Sequence, residues 1–317
     1  MKQKYLPYAL VLLLLSAGCN SRRNDDVVAE TYVHRYGVAL PAEEWSERGQ
    51  HGQVVSTMKD GVVASRNYDS GVLHGETTYS FPHRDTIQRK EIYDQGALKQ
   101  EVHNYSNGLP SRQVTYNSET NQSVVEWYDN GVPQSREEYE NELLQSGEYF
   151  TPANLQESTV TNQNGTRVRR DLFGELDSVE EIQDGKMAKR TTYHSNGTPE
   201  TVTPYMDGKA EGKRLTYLPG GEPSTMEDWK NDKQHGETHV YENGEKYATV
   251  PYVYGKKHGV EKRYSNDGQN LAREVTWVKG NMHGPAHTYV DEEVKSSDWY
   301  FQNKQVNKQT YDALSNQ

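Results

Sequence analysis

The sequence predicts an all-β fold, an elongated antiparallel β-meander of about twelve hairpin repeats of 23 residues. Three observations carry the prediction. An aromatic residue returns at near-constant spacing: Trp45, Tyr68, Tyr93, Tyr116 and Tyr139, and later Tyr205, Trp229, Tyr252, Trp277 and Tyr300. Turn residues keep the same beat. Three places after the aromatic stand Gly71, Gly96, Gly208, Gly255 and Gly280, and seven places after it Gly52, Gly75, Gly212, Gly236, Gly259 and Gly284. Between turns the text alternates apolar and polar, as in Gln113-Val114-Thr115-Tyr116 or Glu274-Val275-Thr276-Trp277, which is the period of a strand.

A second set of turns falls half a repeat away: Asp60-Gly61, Asn107-Gly108, Asn130-Gly131, Asn196-Gly197, Asn243-Gly244 and Asp267-Gly268. Asn-Gly and Asp-Gly favour the type I′ turn, which needs positive φ at both central residues. Two turns per repeat leave two strands of roughly six or seven residues, an ordinary length. A second aromatic, such as Tyr79, Tyr128, Tyr264 or Tyr311, precedes many of these turns. At about 4.8 Å per strand an open sheet of two dozen strands runs about 110 Å. Pro204 and Pro251 sit just before a repeat aromatic; each removes a ladder donor, so a bulge or local edge is expected there.

Composition suits a wet sheet rather than a thick core. Hydrophobic residues make up 32% of 317, with 23 Tyr but only 4 Phe, and mean hydropathy is -1.03. Tyrosine packs its ring and keeps its hydroxyl hydrated. The net charge of -11 argues against nucleic acid as a partner, because phosphate binding needs a basic surface. A single cysteine excludes an intrachain disulfide and a cysteine-based zinc site.

In chain order, residues 1–18 read as an export signal, with Lys2 and Lys4 before the apolar run Leu6 to Leu15. Ser16-Ala17-Gly18-Cys19 resembles the cleavage box of bacterial lipoproteins, which implies that Cys19 is the acylated first residue of the mature chain. Asn20 after it then implies the outer membrane of a Gram-negative envelope. Residues 19–44 read as a tether and N-terminal cap, with a first strand at Thr31 to Val38, and residues 45–149 as repeats. Over 150–185 the aromatic is replaced by Asn162 and Ile182, so a degenerate repeat or a bend is expected, with the bend favoured. Residues 186–317 read as repeats and a C-terminal cap.

The period, the aromatic and the G-x-x-H-G turns at Gly71 to Gly75, Gly255 to Gly259 and Gly280 to Gly284 resemble MORN-type repeats. The added Tyr and Asn-Gly turn resemble the bacterial variant grouped as the YwqK-type antitoxin family. The resemblance covers about residues 45 to 311. It implies an elongated β array used for binding, and it carries no catalytic residue onto this chain.

Five His-Gly pairs, at His51, His74, His235, His258 and His283, are the sharpest candidate site. Equivalent positions lie two strands apart, about 10 Å, which makes a row and not a metal cluster, so the expected role is turn structure. The acidic runs Glu43-Glu44, Glu137-Glu138, Glu180-Glu181 and Asp291-Glu292-Glu293 are expected on a solvated face. The aromatic stripe is expected to pack across strands. No nucleophile motif, phosphate loop or metal motif is present, and no cofactor and no metal are expected. The expected function is that of a non-enzymatic, lipid-anchored envelope protein. Its array would bind another protein or its own copies, and Cys19 would hold it to the membrane. An antitoxin or immunity protein is the alternative, and a glycan-binding module or hydrolase at the cell surface the third. The residues that define the repeat, Gly75, Gly236, Gly259 and Gly284 among them, are expected to be structural.

Overall fold

A computed structural model describes residues 26–171, 173–265 and 268–316. They form one open antiparallel sheet of 27 strands. Strands pair with their neighbours in the chain. The first, Val27–His34, pairs with Ala39–Leu40 and Gly52–Met58, and the last, Lys304–Val306, with Glu293–Phe301, so the sheet does not close. The signal at 1–18, Cys19 and the Asn266-Asp267 half of one expected turn lie outside the described residues.

The two long edges of the sheet use different turns. At the first edge, two-residue turns have both φ values positive, as at Ser70-Gly71 (54° and 78°), Asp207-Gly208 (49° and 77°) and Tyr254-Gly255 (49° and 81°). These are the type I′ angles that match strand twist. At the second edge, Asn130-Gly131 and Asn243-Gly244 follow the same rule. The expectation fails at Asp60-Gly61, Asn107-Gly108 and Asn196-Gly197, where glycine alone is left-handed. There the Asp or Asn side chain accepts the backbone N–H two residues on, at 3.0 Å in each case. That local bond holds a type I turn, and glycine supplies the bulge after it.

The glycines of the His-Gly pairs are not turn residues, as the spacing suggested. Gly75, Gly236 and Gly284 lie inside strands, at bulges, while Gly52 and Gly259 open strands. Tyr68 faces Leu73 and Arg66 faces Thr77, so Asn67 alone opposes His74, Gly75 and Glu76. Asp228 opposes His235 to Glu237 and Thr276 opposes His283 to Pro285 in the same way. Pro204 and Pro251 hold the matching place in two further repeats. There the facing strand is interrupted, between Lys209–Ala210 and Gly212–Tyr217 and between Lys256–Lys257 and Gly259–Tyr264. The N and C=O of one strand residue point to the same side, and the Pro251 carbonyl accepts from His258 N–H at 3.0 Å. The missing proline donor therefore faces the bulge, where no ladder bond is lost.

Several boundaries differ from expectation. The first strand runs Val27–His34 and not to Val38. Trp45 does not start a strand; it lies on a short helix, α1 (Ala42–Glu47), and packs on Tyr32 with ring centres 5.9 Å apart. Tyr311 lies on α2 (Lys308–Ser315), which Asn307 caps by accepting Thr310 N–H at 2.8 Å. There it meets Trp299 at 5.0 Å and His283 at 5.5 Å. One helix thus packs near each end of the sheet, through Trp45 on Tyr32 and through Tyr311 on Trp299.

Across 150–185 the meander continues through Gln156–Thr161, Asn164–Arg170 and Leu176–Gln183. The repeat aromatic stands two residues before a first-edge turn. By that rule the slot is filled by Val160 and Ile182, while Asn162 is itself a turn residue (φ 48°). Both fillers are buried, in a cluster with Leu144 and Tyr149. The joint between Gln156–Thr161 and Asn164–Arg170 has only two register pairs. Arg169 reaches Glu137 at 3.2 Å although three strand steps, about 14 Å on a flat sheet, separate them. The sheet therefore curls sharply at this joint.

Gly236 has φ 125°, and a Cβ there would lie 2.8 Å from Asp228 Cβ. Gly236→Ala is expected to cost about 1–3 kcal/mol through φ strain and the clash. At Gly244 a Cβ meets nothing within 4 Å, so Gly244→Ala carries only the φ cost, about 1 kcal/mol. Native-state hydrogen exchange in strands Pro223–Lys230 and Lys233–Glu242 checks the difference; equal protection in both variants would refute the bulge argument.

Candidate functional site

The repeat aromatics and most of the buried residues share one face of the sheet. Register pairs trace a row along it: Val54, Arg66, Thr77, Glu91, Glu101, Val114, Val125 and Glu137. It resumes past the curl as Arg167, Glu180, Arg190 and Thr203, and near the end as Glu261, Val275 and Ala286. Most of these side chains are buried although the sheet is one layer thick. Side chains two residues away on the same strand point to the same face and close over the row. The repeat aromatic is one of them. Tyr93 donates to Glu91 at 3.1 Å, Tyr139 to Glu137 at 3.0 Å and Trp229 to Glu227 at 2.7 Å.

The densest part of the row lies at the curl. Glu137 is 2% exposed and Glu180 0%. Glu137 accepts from Tyr139 and Tyr149, each at 3.0 Å, and from Arg169 at 3.2 Å. Arg167 bridges the two acids, 3.5 Å from Glu137 and in contact with Glu180, and Arg190 Nε closes on Glu180 at 2.8 Å. Burial alone pushes the Glu180 carboxyl up, but Arg167 and Arg190 outweigh it and hold it below the usual carboxylate range. Burial pushes the Arg167 guanidinium down, and Glu180 and Glu137 more than reverse that. Burial, then the Glu137 charge, raises the Tyr139 and Tyr149 hydroxyls. A smaller copy of the arrangement surrounds Glu261, 2% exposed, with Lys257 at 2.8 Å and Arg263 at 2.7 Å.

This overturns the solvated-face expectation for Glu137 and Glu180; their neighbours Glu138 and Glu181 do reach solvent. The buried pair are still poor acid–base groups. A general acid needs access to substrate and a pKa moved toward neutrality, whereas Glu180 is enclosed and moves the other way. The network ties five strands together, Val132–Glu140, Leu143–Phe150, Asn164–Arg170, Leu176–Gln183 and Lys186–Tyr193. Sequence reasoning missed Arg167, Arg169, Arg190 and Tyr149. Arg167 and Arg169 share a strand face, and that alternation was the available signal.

The other candidates also resolve. The histidines form a row beside the first-edge turns. Nδ1 of His51, His74, His235 and His258 accepts the backbone N–H of the next repeat's turn, from Ser70, Gln95, Tyr254 and Lys279, at 3.2–3.4 Å. They link repeats and do not converge on an ion; among the described residues no group of three or more His, Cys, Asp or Glu could hold a metal. The aromatic rings carry cations on their faces: Arg89 lies 4.1 Å from the Tyr79 ring centre, Lys257 4.6 Å from Trp277 and Arg214 5.2 Å from Trp229. An open depression of about 320 Å³ lies between α1 and the sheet, lined in part by Glu30, Tyr32, Trp45 and Tyr68. Hydrogen bonding to Glu30, with burial, raises the Tyr32 hydroxyl to about 12.

No protein-family model and no curated protein matches the chain. Among solved structures, a point mutant of TarM from S. aureus, in complex with fondaparinux, alpha-GlcNAc-glycerol and UDP, is similar over 46% of this chain and 22% of its own, at 12% identity and a TM-score of 0.20. A likeness at that score carries no argument about fold or chemistry.

Because the Glu180 carboxyl is lower in the folded chain, its contribution to stability is complete above the ordinary carboxylate range. It is lost as pH falls through the depressed value. Glu180→Gln is therefore expected to destabilise the neutral protein by about 3–5 kcal/mol, the cost of leaving buried arginines unmatched, and to flatten the acid limb of the stability curve. Urea unfolding from pH 7 down to pH 3 checks both; an unchanged acid limb would count against the assignment.

Proposed function

We propose that the chain is a non-enzymatic, lipid-anchored protein of the bacterial cell envelope whose β array is a scaffold for another protein. The observation that carries this reading is repetition within a single layer. The same bulge recurs in at least five repeats, and the sheet's edges and outer rows stay open along its length. Such an array offers many equivalent contacts, whereas an active site needs one unlike constellation. The buried acids are matched internally. The MORN-type pattern and the lipoprotein-like box at Cys19 support the same reading, with the outer membrane as the expected site.

Cross-linking and pull-down from intact envelopes test it, beside Cys19→Ala. A protein recovered in fixed ratio with the wild-type chain is expected, together with loss of membrane fractionation and of fatty-acid uptake in the variant. Capture of isolated glycan with no protein partner would move the reading to a glycan-binding module. Unchanged fractionation and acyl uptake in Cys19→Ala would remove the anchor.

A further inference from the structure

The two edges of the sheet differ in what they expose. Over the N-terminal half, second-edge turns present an apolar side chain at almost every repeat: Val63, Leu109, Val132, Leu155 and Phe173, with Val28 at the head of the row. Four of them stand on consecutive turns. Leu155 is 66% exposed and Phe173 88%. The Phe173 turn is held by Asp171, whose backbone N–H donates to Glu175 O at 2.9 Å and whose side chain accepts Phe173 N–H at 2.8 Å. Successive second-edge turns also stack closely: a Cβ on Gly174 would come within 2.8 Å of Pro152. The first-edge turns of the same strands, at 95–96, 117–121, 141–142, 162–163 and 184–185, carry only Gln, Asn, Ser, Thr, Asp, Glu and Gly. Exposed apolar groups at the first edge of this half, Tyr36, Val38 and Val72, cluster near the N-terminal cap. Beyond residue 185 both edges carry some, such as Met206 and Leu218.

The chain enters the sheet at the second edge. Val27 faces Met58, and Lys59 N–H donates to Asp26 O at 2.8 Å, beside the Asp60-Gly61 turn. Cys19 precedes Asp26 by seven residues, a reach of at most about 25 Å. An acyl chain on Cys19 therefore holds the second edge, and not the first, toward the bilayer. The apolar row starts at the strand that leaves the anchor and runs about 60 Å along the sheet, twelve strand steps at the usual spacing. Large apolar side chains on ordered turns, set in a chain this polar, mark a contact surface, and the occupant within reach is lipid.

We propose that the N-terminal half of the array lies edge-on at the membrane, with Val63, Leu109, Val132, Leu155 and Phe173 dipping into the apolar boundary of the bilayer. The inference rests on acylation of Cys19, which supplies the approach. It assigns the first edge and the aromatic face to the aqueous side, where a protein partner would find them. The contact is apolar, so it does not require the basic surface that this acidic chain lacks.

The full chain, expressed with its lipid and reconstituted in phosphatidylethanolamine–phosphatidylglycerol vesicles, is irradiated with a carbene-generating phenyldiazirine dissolved in the bilayer, and labelled peptides are mapped. Label on the peptides holding Leu109, Leu155 and Phe173 is expected severalfold above that on the first-edge peptides at 117–121, 141–142 and 162–163. The triple variant Leu109→Ser, Leu155→Ser, Phe173→Ser should fall to the first-edge level while keeping its circular dichroism spectrum. Equal labelling of both edges, or label confined to the N-terminal peptide, overturns the inference. Labelled palmitate on the same sample reads the anchor separately. Uptake at Cys19 without edge labelling rejects this orientation and leaves the anchor standing. No uptake rejects the anchor and, with it, this approach to the bilayer.

Discussion

Most first-edge turns hang from the turn before them. The N–H of the second turn residue donates to a carbonyl just past the previous turn: Gly71 to Gln50, Gly96 to Leu73, Gly185 to Gln163, Gly255 to Gln234 and Gly280 to Lys257, at 2.8–3.2 Å. In an isolated hairpin that amide would face water. Here the bulge two or three residues beyond the turn swings the strand so that the next turn can reach it, and the histidine beside the bulge takes a second turn amide. The bulge exists because glycine accepts φ near 85–125° at Gly75, Gly236, Gly259 and Gly284. At these four repeats the stacking thus depends on a backbone conformation that glycine permits.

A single layer cannot bury a thick apolar core, and the chain does not supply one. Its buried row mixes Val and Ala with Thr, Glu and Arg. A carboxylate in that row would be costly alone. Glu91 and Glu137 are each matched by arginine and capped by tyrosine hydroxyls, while Glu180 and Glu261 are matched by cations alone. The aromatic at the repeat position therefore serves as both packing and donor, which fits the preference for Tyr and Trp over Phe. At the curl, where Val160 and Ile182 stand in the aromatic's place and donate nothing, Tyr149 and three arginines take over the matching.

Much of this was legible in the residues. The period, the two turn series and the strand alternation placed nearly every strand, and the two prolines pointed to the bulges. The role of the His-Gly pairs was not legible, because spacing along the chain does not tell a turn from a bulge three residues beyond it. The slot rule failed at Asn162 because the repeat after Tyr139 is shorter: the buried slot falls on Val160, 21 residues on, and the count slips. Burial of Glu137 and Glu180 was hidden because it arises from the curl, which brings Arg169 across three strands. The capping helices are six and eight residues long, too short to show a clear helical period.

Sequence neighbours are spatial neighbours along the whole sheet, with few contacts beyond the next strand but one. Tension applied between the two ends would run across the ladder and load one strand pair at a time. The array would yield by peeling, not by shearing all its bonds together. Each hairpin released would add about 70 Å of slack, from 23 residues at roughly 3.5 Å less the sheet width given up. The two-pair joint at Val160–Gly165 and Thr161–Asn164 would be the first seam to part but for the ionic clamp across it. An array held at one end and loaded at the other would lengthen in steps while its remaining repeats kept their shape.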